Sequence, residues 1–342
     1  MQSARINQCV MKKILFIVAA VTLFTDIVYA QSEKNSFLWS IDRMLNLSST
    51  KKMDTNYYTI AKNGWMINVN NNFAGFLLTS EINNVPLYGT TKMNLHSKFN
   101  YQLSSTFGYR NLILGYSLAN VIGEVKDFTL SLSANAWGVE FRRLATPDVA
   151  GNVTTSALGE DFDVKNGDVK IKTKYLRAYY VFNNKKYSTT AAIDQRCVQK
   201  KSAGSLLFYT NYSQNTLTLL NSGIINRFKG IKVLEYSQAE LSLGYGYNFT
   251  PNQGRLLFHA DFMPMFVVMT SNYLTDGSLK EINTKNKYFF NCMGRFTVNY
   301  RFNDNFGLCF SAFMNTNRFT SEDNIKIRMY DYLIKTSLCF RF

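Results

Sequence analysis

From Tyr330 to its last residue the chain alternates between two chemistries. One row reads Tyr330, Tyr332, Ile334, Thr336, Leu338, Phe340 and Phe342; the other reads Asp331, Leu333, Lys335, Ser337, Cys339 and Arg341. Only a strand, whose side chains point alternately to opposite faces, separates these two sets. An apolar face, a polar face and a terminal Phe predict the strand that closes a membrane barrel. Tyr332, Ile334, Leu338, Phe340 and Phe342 then face lipid and carry the assembly signal, while Lys335 and Arg341 face the lumen.

The same alternation recurs upstream. Between Lys92 and Tyr109 the odd positions Met93, Leu95, Tyr101, Leu103, Phe107 and Tyr109 are apolar against Asn94, His96, Gln102, Ser104 and Thr106. Leu241, Leu243, Tyr245, Tyr247 and Phe249 form another row, as do Tyr288, Phe290, Phe296, Val298, Tyr300 and Phe302, opposite Arg295 and Arg301. Asn303-Asp304-Asn305 then supplies a tight turn. Strands are predicted near 64–81, 92–109, 111–121, 126–142, 170–183, 187–199, 203–213, 232–249, 254–270, 286–302, 304–318 and 326–342. The fold class is therefore all-β, a transmembrane antiparallel up-and-down β-barrel of about 12 strands, within about 10 to 14. A parity shift at Asn135-Ala136-Trp137 marks a β-bulge or a turn. Thr146 to Asp168 does not alternate, and Gln214 to Gly230 repeats apolar residues at near-helical spacing. Both read as loops, lids or plugs, the second also as a helix packed on a strand rim.

The other end of the chain concerns destination. Lys12 and Lys13 precede an apolar run, Ile14 to Phe24, and Val28-Tyr29-Ala30 supplies a cleavage site. The run is too short for the roughly 20 residues of a spanning helix, so it predicts a cleaved signal peptide over 1–30. A periplasmic lead over 31–62, including a helical or irregular Ser36 to Met53, then precedes a barrel over 63–342 in a bacterial outer membrane. No later window is long and apolar enough for a membrane helix; Phe262 to Thr270 contains Pro264. The 27 Phe and 21 Tyr fit the aromatic girdles of a barrel.

Net charge is +15, and removing Arg5, Lys12, Lys13 and Asp26 with the signal leaves about +13. That excess suits a basic lumen, contact with lipopolysaccharide phosphates, or simply cationic loops. Cys197, Cys292, Cys309 and Cys339 lack metal-ligand spacing and sit in predicted strands, so neither a metal nor a cofactor is expected. Of two histidines, His259 shares parity with Arg255 and Asp261, so all three point into the lumen with Arg295, Arg301, Lys335 and Arg341. A lumen polar network explains them better than catalysis, since no nucleophile elbow or zinc motif accompanies them. No catalytic residue is assigned.

At Asn183-Asn184-Lys185-Lys186-Tyr187-Ser188 and at Gln199, Lys200, Lys201, Ser202, Ala203, Gly204 and Ser205 the chain resembles an exported family of Bacteroidota, domain of unknown function 4421. Asp54-Thr55-Asn56-Tyr57 and Leu243-Gly244-Tyr245-Gly246-Tyr247-Asn248 resemble further motifs of that family. The resemblance implies an outer-membrane barrel of this length and no activity. Read as residues, Gln199 to Ser205 is a tight turn with lysines at an aqueous rim, or, with Arg196, a basic and amide-rich patch for an anion or partner.

The function expected is a small-solute channel or ligand-binding barrel with a polar, net basic lumen. The alternatives are a structural or accessory barrel of an envelope complex and, last, a lipid-modifying hydrolase using His96 or His259. Expected partners are outer-membrane lipid and lipopolysaccharide, the barrel-assembly machinery through the C-terminal strand, and an envelope protein; nucleic acid is not one.

Overall fold

The computed structural model describes residues 53–342, apart from 62–63, 98–100, 110–111, 123–125, 147–148, 158–160, 276–278, 282–289 and 322–324. The expected signal peptide and most of the lead lie outside the described residues. In chain order the strands are β1 (Tyr58–Ile60), β2 (Trp65–Val85), β3 (Gly89–Ser97), β4 (Tyr101–Tyr109), β5 (Leu112–Ile122), β6 (Lys126–Ser133), β7 (Trp137–Thr146), β8 (Val149–Thr155), β9 (Phe162–Val164) and β10 (Val169–Val181). Helix α1 (Thr189–Ile193), β11 (Cys197–Gln199), β12 (Ala203–Leu219), helix α2 (Ser222–Arg227), β13 (Val233–Phe249), β14 (Leu256–Thr275), β15 (Leu279–Glu281), β16 (Phe290–Arg301), β17 (Phe306–Thr320) and β18 (Ile325–Arg341) follow.

Twelve of these strands pair antiparallel in a ring: β2, β4, β5, β6, β7, β10, β12, β13, β14, β16, β17, β18 and back to β2. The closing seam runs from Arg341 opposite Met66 to Ile325 opposite Ile82. Trp65 and Phe342 exchange backbone hydrogen bonds at 3.2 Å, so both ends of the barrel chain meet at one rim, here the terminal end. Closure leaves the barrel wall no sheet edge, the condition for spanning a bilayer with strands.

The ring is turned inside out along its axis. Near the terminal end β2 points Asn68, Asn70 and Asn72 inward and exposes Val69; toward the far end Phe76, Leu78 and Ile82 point inward while Thr79 is exposed. β10 changes likewise, exposing Lys170, Lys172 and Lys174 and then Leu176, Tyr180 and Phe182. Apolar-out and polar-in is the pattern of a lipid-embedded wall. Apolar-in and polar-out is that of a β-structure in water, with an interior core of Phe76, Leu78, Met93, Val153, Ile171, Leu217, Ile224, Tyr236, Phe319 and Ile327. Each such side chain, fully buried, contributes roughly 1.5 to 3 kcal/mol. Tyr236 and Phe319 stack at 5.7 Å across this far-end core.

At the terminal edge of the outer belt, aromatics cluster as a girdle. Trp65 and Tyr109 lie 4.8 Å apart, and Tyr300, Phe302, Phe306 and Phe340 form a chain of rings at 4.9, 5.0 and 5.2 Å.

The structure corrects four of the predicted elements. Residues 126–142 form two strands, because Ala134 to Ala136 turn the chain and Ala134 N–H donates to Trp137 O. Residues 92–109 form β3 and β4, whose apolar rows face opposite sides: Met93 and Leu95 are buried inside, whereas Gln102 and Ser104 face inward on β4. His96 therefore lies exposed on the outside of β3. The expected loop 146–168 carries β8 and β9, and β8 pairs with β3 beyond the β5–β6 hairpin. Finally, 187–199 is not a wall strand. It leaves the wall after β10 and enters the lumen.

Candidate functional site

The segment from Asn183 to Ser202 is a plug. Its entry turn is closed by Lys186 and Tyr187 N–H donating to Asn183 O, and Ser188 caps α1 by accepting from Ala191 N–H at 3.2 Å. Thr189, Thr190, Ala191 and Ala192 make one helical turn narrow enough for a barrel interior, and all four are buried. Gln195, at φ 56°, reverses the chain, and β11 leaves by pairing with β1 of the lead.

Opposite walls hold the plug. Asn248 of β13 donates to Ser188 O at 2.9 Å, and Asn299 of β16 donates to Ala191 O and Ala192 O at 2.9 and 2.8 Å, satisfying carbonyls that the short helix leaves open. Arg341 of β18 donates from Nε and Nη2 to Gln195 O at 3.1 and 2.7 Å. On β4, a Cβ at Gly108 would lie 1.5 Å from Arg196 Nη2, and on β13 one at Gly246 would lie 2.3 Å from the Tyr187 hydroxyl. A side chain at either point would have to push the end of Arg196 or Tyr187 aside. Gly108→Val is expected to displace Arg196 and cost about 1 to 3 kcal/mol, read as faster hydrogen exchange in 188–197 with the strands unchanged.

Gln199 is the hub, at 2% exposure. Its Nε2 donates to Lys186 O at 2.7 Å, Lys201 O at 2.9 Å and Tyr57 O at 3.4 Å; its Oε1 accepts from Ser188 N–H and Asn248 Nδ2, both at 3.1 Å. Asp54 folds the lead into an Asx turn through Asn56 N–H, and Asp54 N–H donates to Lys185 O. Tyr57 then lies between Lys186 and Lys201, at 5.0 and 5.7 Å from its ring. Asn183 donates to Gly204 O, and Ser202 Oγ accepts from Thr250 N–H. Arg196 and Gln199 are thus interior plug residues and not an exposed patch; within 195–205 only Lys201 is exposed, Lys200 being half-buried with its ammonium on Thr55 O.

The predicted lumen residues divide by depth. His259, 1% exposed, is fixed on both sides: Nδ1 to Asn248 Oδ1 at 2.9 Å and Nε2 to Asp261 Oδ2 at 3.1 Å. It anchors the plug's anchor. Arg295 and Lys335 face the interior beyond the plug, Arg341 grips Gln195, and Arg301 is half-buried at the terminal rim, 3.9 Å from Asp304. Arg255 is exposed in the turn preceding β14, because β14 begins only at Leu256. Tyr332, Ile334, Leu338, Phe340 and Phe342 are 39 to 42% exposed on the outer face of β18.

Beyond the plug lies a cavity of about 140 Å³, floored by Ile193 and Asp194 and walled by Asn70, Asn72, Ser104, Glu140, Arg142, Arg177, Arg295 and Lys335. A water needs only about 10 to 15 Å³ on the same measure, so a small solute fits. Arg177 Nη1 pairs with Glu140 at 3.3 Å, Nε donates to Asn211, and the guanidinium lies 4.5 Å from the Tyr175 ring. Arg177 Nη2 and Arg295 Nη1 are buried with no partner among the described residues. Farther along, Tyr175 and Asn315 hold Asp331, while Asn211 and Asn291 hold Glu240. Past that layer the lumen is filled by the far-end core, onto which α2 packs Ile224 and Phe228. The helical stretch expected in 214–230 is confined to α2, since Gln214 to Leu219 belong to β12.

No cysteine lines the chamber. Cys197, Cys292, Cys309 and Cys339 are all free, and Cys309 and Cys339 stand opposite Ser337 and Gly307. Burial pushes the Cys197 thiol up, so it stays protonated against Thr190, whose hydroxyl donates to its sulfur at 3.2 Å.

A closed antiparallel ring, an aromatic-edged apolar belt and a polar interior define a transmembrane β-barrel of the outer-membrane type. The chain belongs to the family described as Domain of unknown function (DUF4421), whose model matches residues 52–342. No curated protein matches it. Among solved structures it is similar to the outer membrane protease OmpT from Escherichia coli, at 9% identity and TM-score 0.44, covering 83% of this chain and 98% of that one. It is also similar to the transport unit of the autotransporter AIDA-I from Escherichia coli (10%, TM-score 0.35, 88% and 96%) and to the outer membrane protein OprG from Pseudomonas aeruginosa (14%, TM-score 0.27, 82% and 98%).

Proposed function

We propose that this protein is an occluded ligand-binding barrel of the bacterial outer membrane, holding a small anionic solute in its central chamber and forming no open pore. One observation carries the reading: between the plug and the apolar core the interior leaves a chamber bounded by four cations, Arg142, Arg177, Arg295 and Lys335, against two carboxylates, Glu140 and Asp194. Two guanidinium nitrogens there lack partners among the described residues, and a buried donor left unpaired costs roughly 1 to 3 kcal/mol, more when charged. An oxyanion such as phosphate or a small carboxylate satisfies them and offsets the excess charge.

The reading assigns binding and no catalysis. His259 has both ring nitrogens engaged beneath the plug, and His96 points outward.

Inorganic phosphate and acetate, titrated into the refolded barrel by calorimetry, test it. Binding to wild type, weakened about tenfold in Lys335→Gln, is expected, since removing one charge contact from a desolvated site costs about 1.4 kcal/mol or more. No uptake of either anion at millimolar concentration contradicts it and leaves the structural, accessory barrel as the better account.

A further inference from the structure

The outer surface carries a charge cluster that the chamber does not explain. Just beyond the lipid-facing Leu176, β10 points Lys174, Lys172 and Lys170 outward, and Arg143 on β7 stands directly opposite Lys174. Successive outward positions on a strand lie about 6.6 to 6.8 Å apart, so four cations share one small patch, and like charges directly opposite on paired strands repel. All four are exposed, and none forms an ion pair among the described residues; Lys174 meets only the Gln214 amide, at 3.1 Å. Elsewhere the same surface does pair its cations: Glu81 lies 3.1 Å from Lys326 and 4.0 Å from Lys92.

The position of the patch names the missing anion. It lies where the apolar belt gives way to polar strand, at the depth of a lipid headgroup, and at the rim opposite the chain termini. In outer-membrane barrels with periplasmic termini that rim borders the outer leaflet. We infer that Arg143, Lys170, Lys172 and Lys174 bind the phosphates of a phosphorylated glycolipid in that leaflet. The acyl chains then lie along Leu176 and its neighbours while the phosphates bridge cations that would otherwise repel one another.

Native mass spectrometry of the barrel reconstituted in phosphatidylcholine vesicles with lipid A as the probe tests this. Wild type should retain lipid A through detergent extraction. The variant carrying Arg143→Gln, Lys170→Gln, Lys172→Gln and Lys174→Gln should retain it at least about tenfold less, each cation near an anionic headgroup being worth about a factor of five. The four side chains are exposed, so glutamine keeps the strands intact. Dephosphorylated lipid A should not be retained, and millimolar inorganic phosphate should not displace the lipid. Equal retention by the variant, equal retention of the dephosphorylated lipid, or displacement by free phosphate overturns the inference.

Discussion

Replacing Gln199 with leucine is expected to unseat the plug and destabilise the protein by about 3 to 5 kcal/mol. Leucine is close to the right size but satisfies nothing. Lys186 O and Lys201 O lose their donor, Ser188 N–H loses its acceptor, and Asn248 Nδ2 keeps only Ser188 O. Buried groups left unsatisfied cost roughly 1 to 3 kcal/mol each, with partial relief from water at the terminal rim. Because Asn248 also orients His259, the loss spreads into the wall. Proteolysis of the folded barrel should cut within 183–202 in the variant and spare wild type. Glutamate at the same position keeps one acceptor and should fall between the two. Equal resistance in Gln199→Leu would show that the plug is held by other contacts.

The second large effect belongs to the outer belt. Leu338→Arg should cost about 1 to 3 kcal/mol in vesicles, because a guanidinium on the lipid face, one outward position inside the Phe340 girdle, must be dragged toward the terminal interface. Leu338 stands on the outer face of β18 opposite Val69 and Leu308, within a band that includes Ile334 and Phe340. Ser337→Arg, one position away, points inside and should fail for a different reason, since Ser337 is 2% exposed. Urea titration of folding into vesicles separates the two: the Leu338 variant should lose stability in lipid and lose less of it in a short-chain detergent that thins the apolar belt. Unchanged stability of Leu338→Arg in lipid contradicts the facing of the closing strand.

The sequence made the membrane half of the wall readable because alternation there is strict and the outer face is uniformly apolar. β18, β13 and β16 appear close to where the periodicity puts them. The far half is ambiguous for a physical reason: alternation survives while its meaning inverts. In β10 the row Lys170, Lys172, Lys174, Leu176 keeps one parity, yet the lysines face water and the leucine faces lipid. In 92–109 the reverse occurs, the apolar row staying in step while the strand shifts face between β3 and β4. Period alone cannot tell which face is in.

The plug is hidden in the sequence for another reason. Residues 187–199 have strand-like composition, with Tyr187, Ile193, Cys197 and Val198, but their partners are side chains scattered over distant strands. Two signals were present. Gly108 and Gly246 are small residues in inward rows where a wall strand has no use for them, and Ser188 is a helix cap set before Thr189-Thr190-Ala191-Ala192. Four stretches that resemble family motifs, around Tyr57, Asn183, Gln199 and Asn248, converge on this one structure. What they have in common is holding the plug, which gives the resemblance a physical content it lacked as a string of residues.

The chamber was legible only in part. Arg295 and Lys335 follow from parity, but Glu140, Arg142 and Arg177 sit on strands whose boundaries the pattern blurred, and Asp194 arrives from the plug.

An occluded barrel requires a closed lumen, with the plug at one end and the apolar core at the other. Single-channel recording of the wild-type barrel in planar bilayers measures this directly. Silent insertion, with no unitary conductance steps although the barrel is present in the membrane, is the result predicted; sustained steps of a fixed size would mean that ions pass both obstructions, and would contradict it.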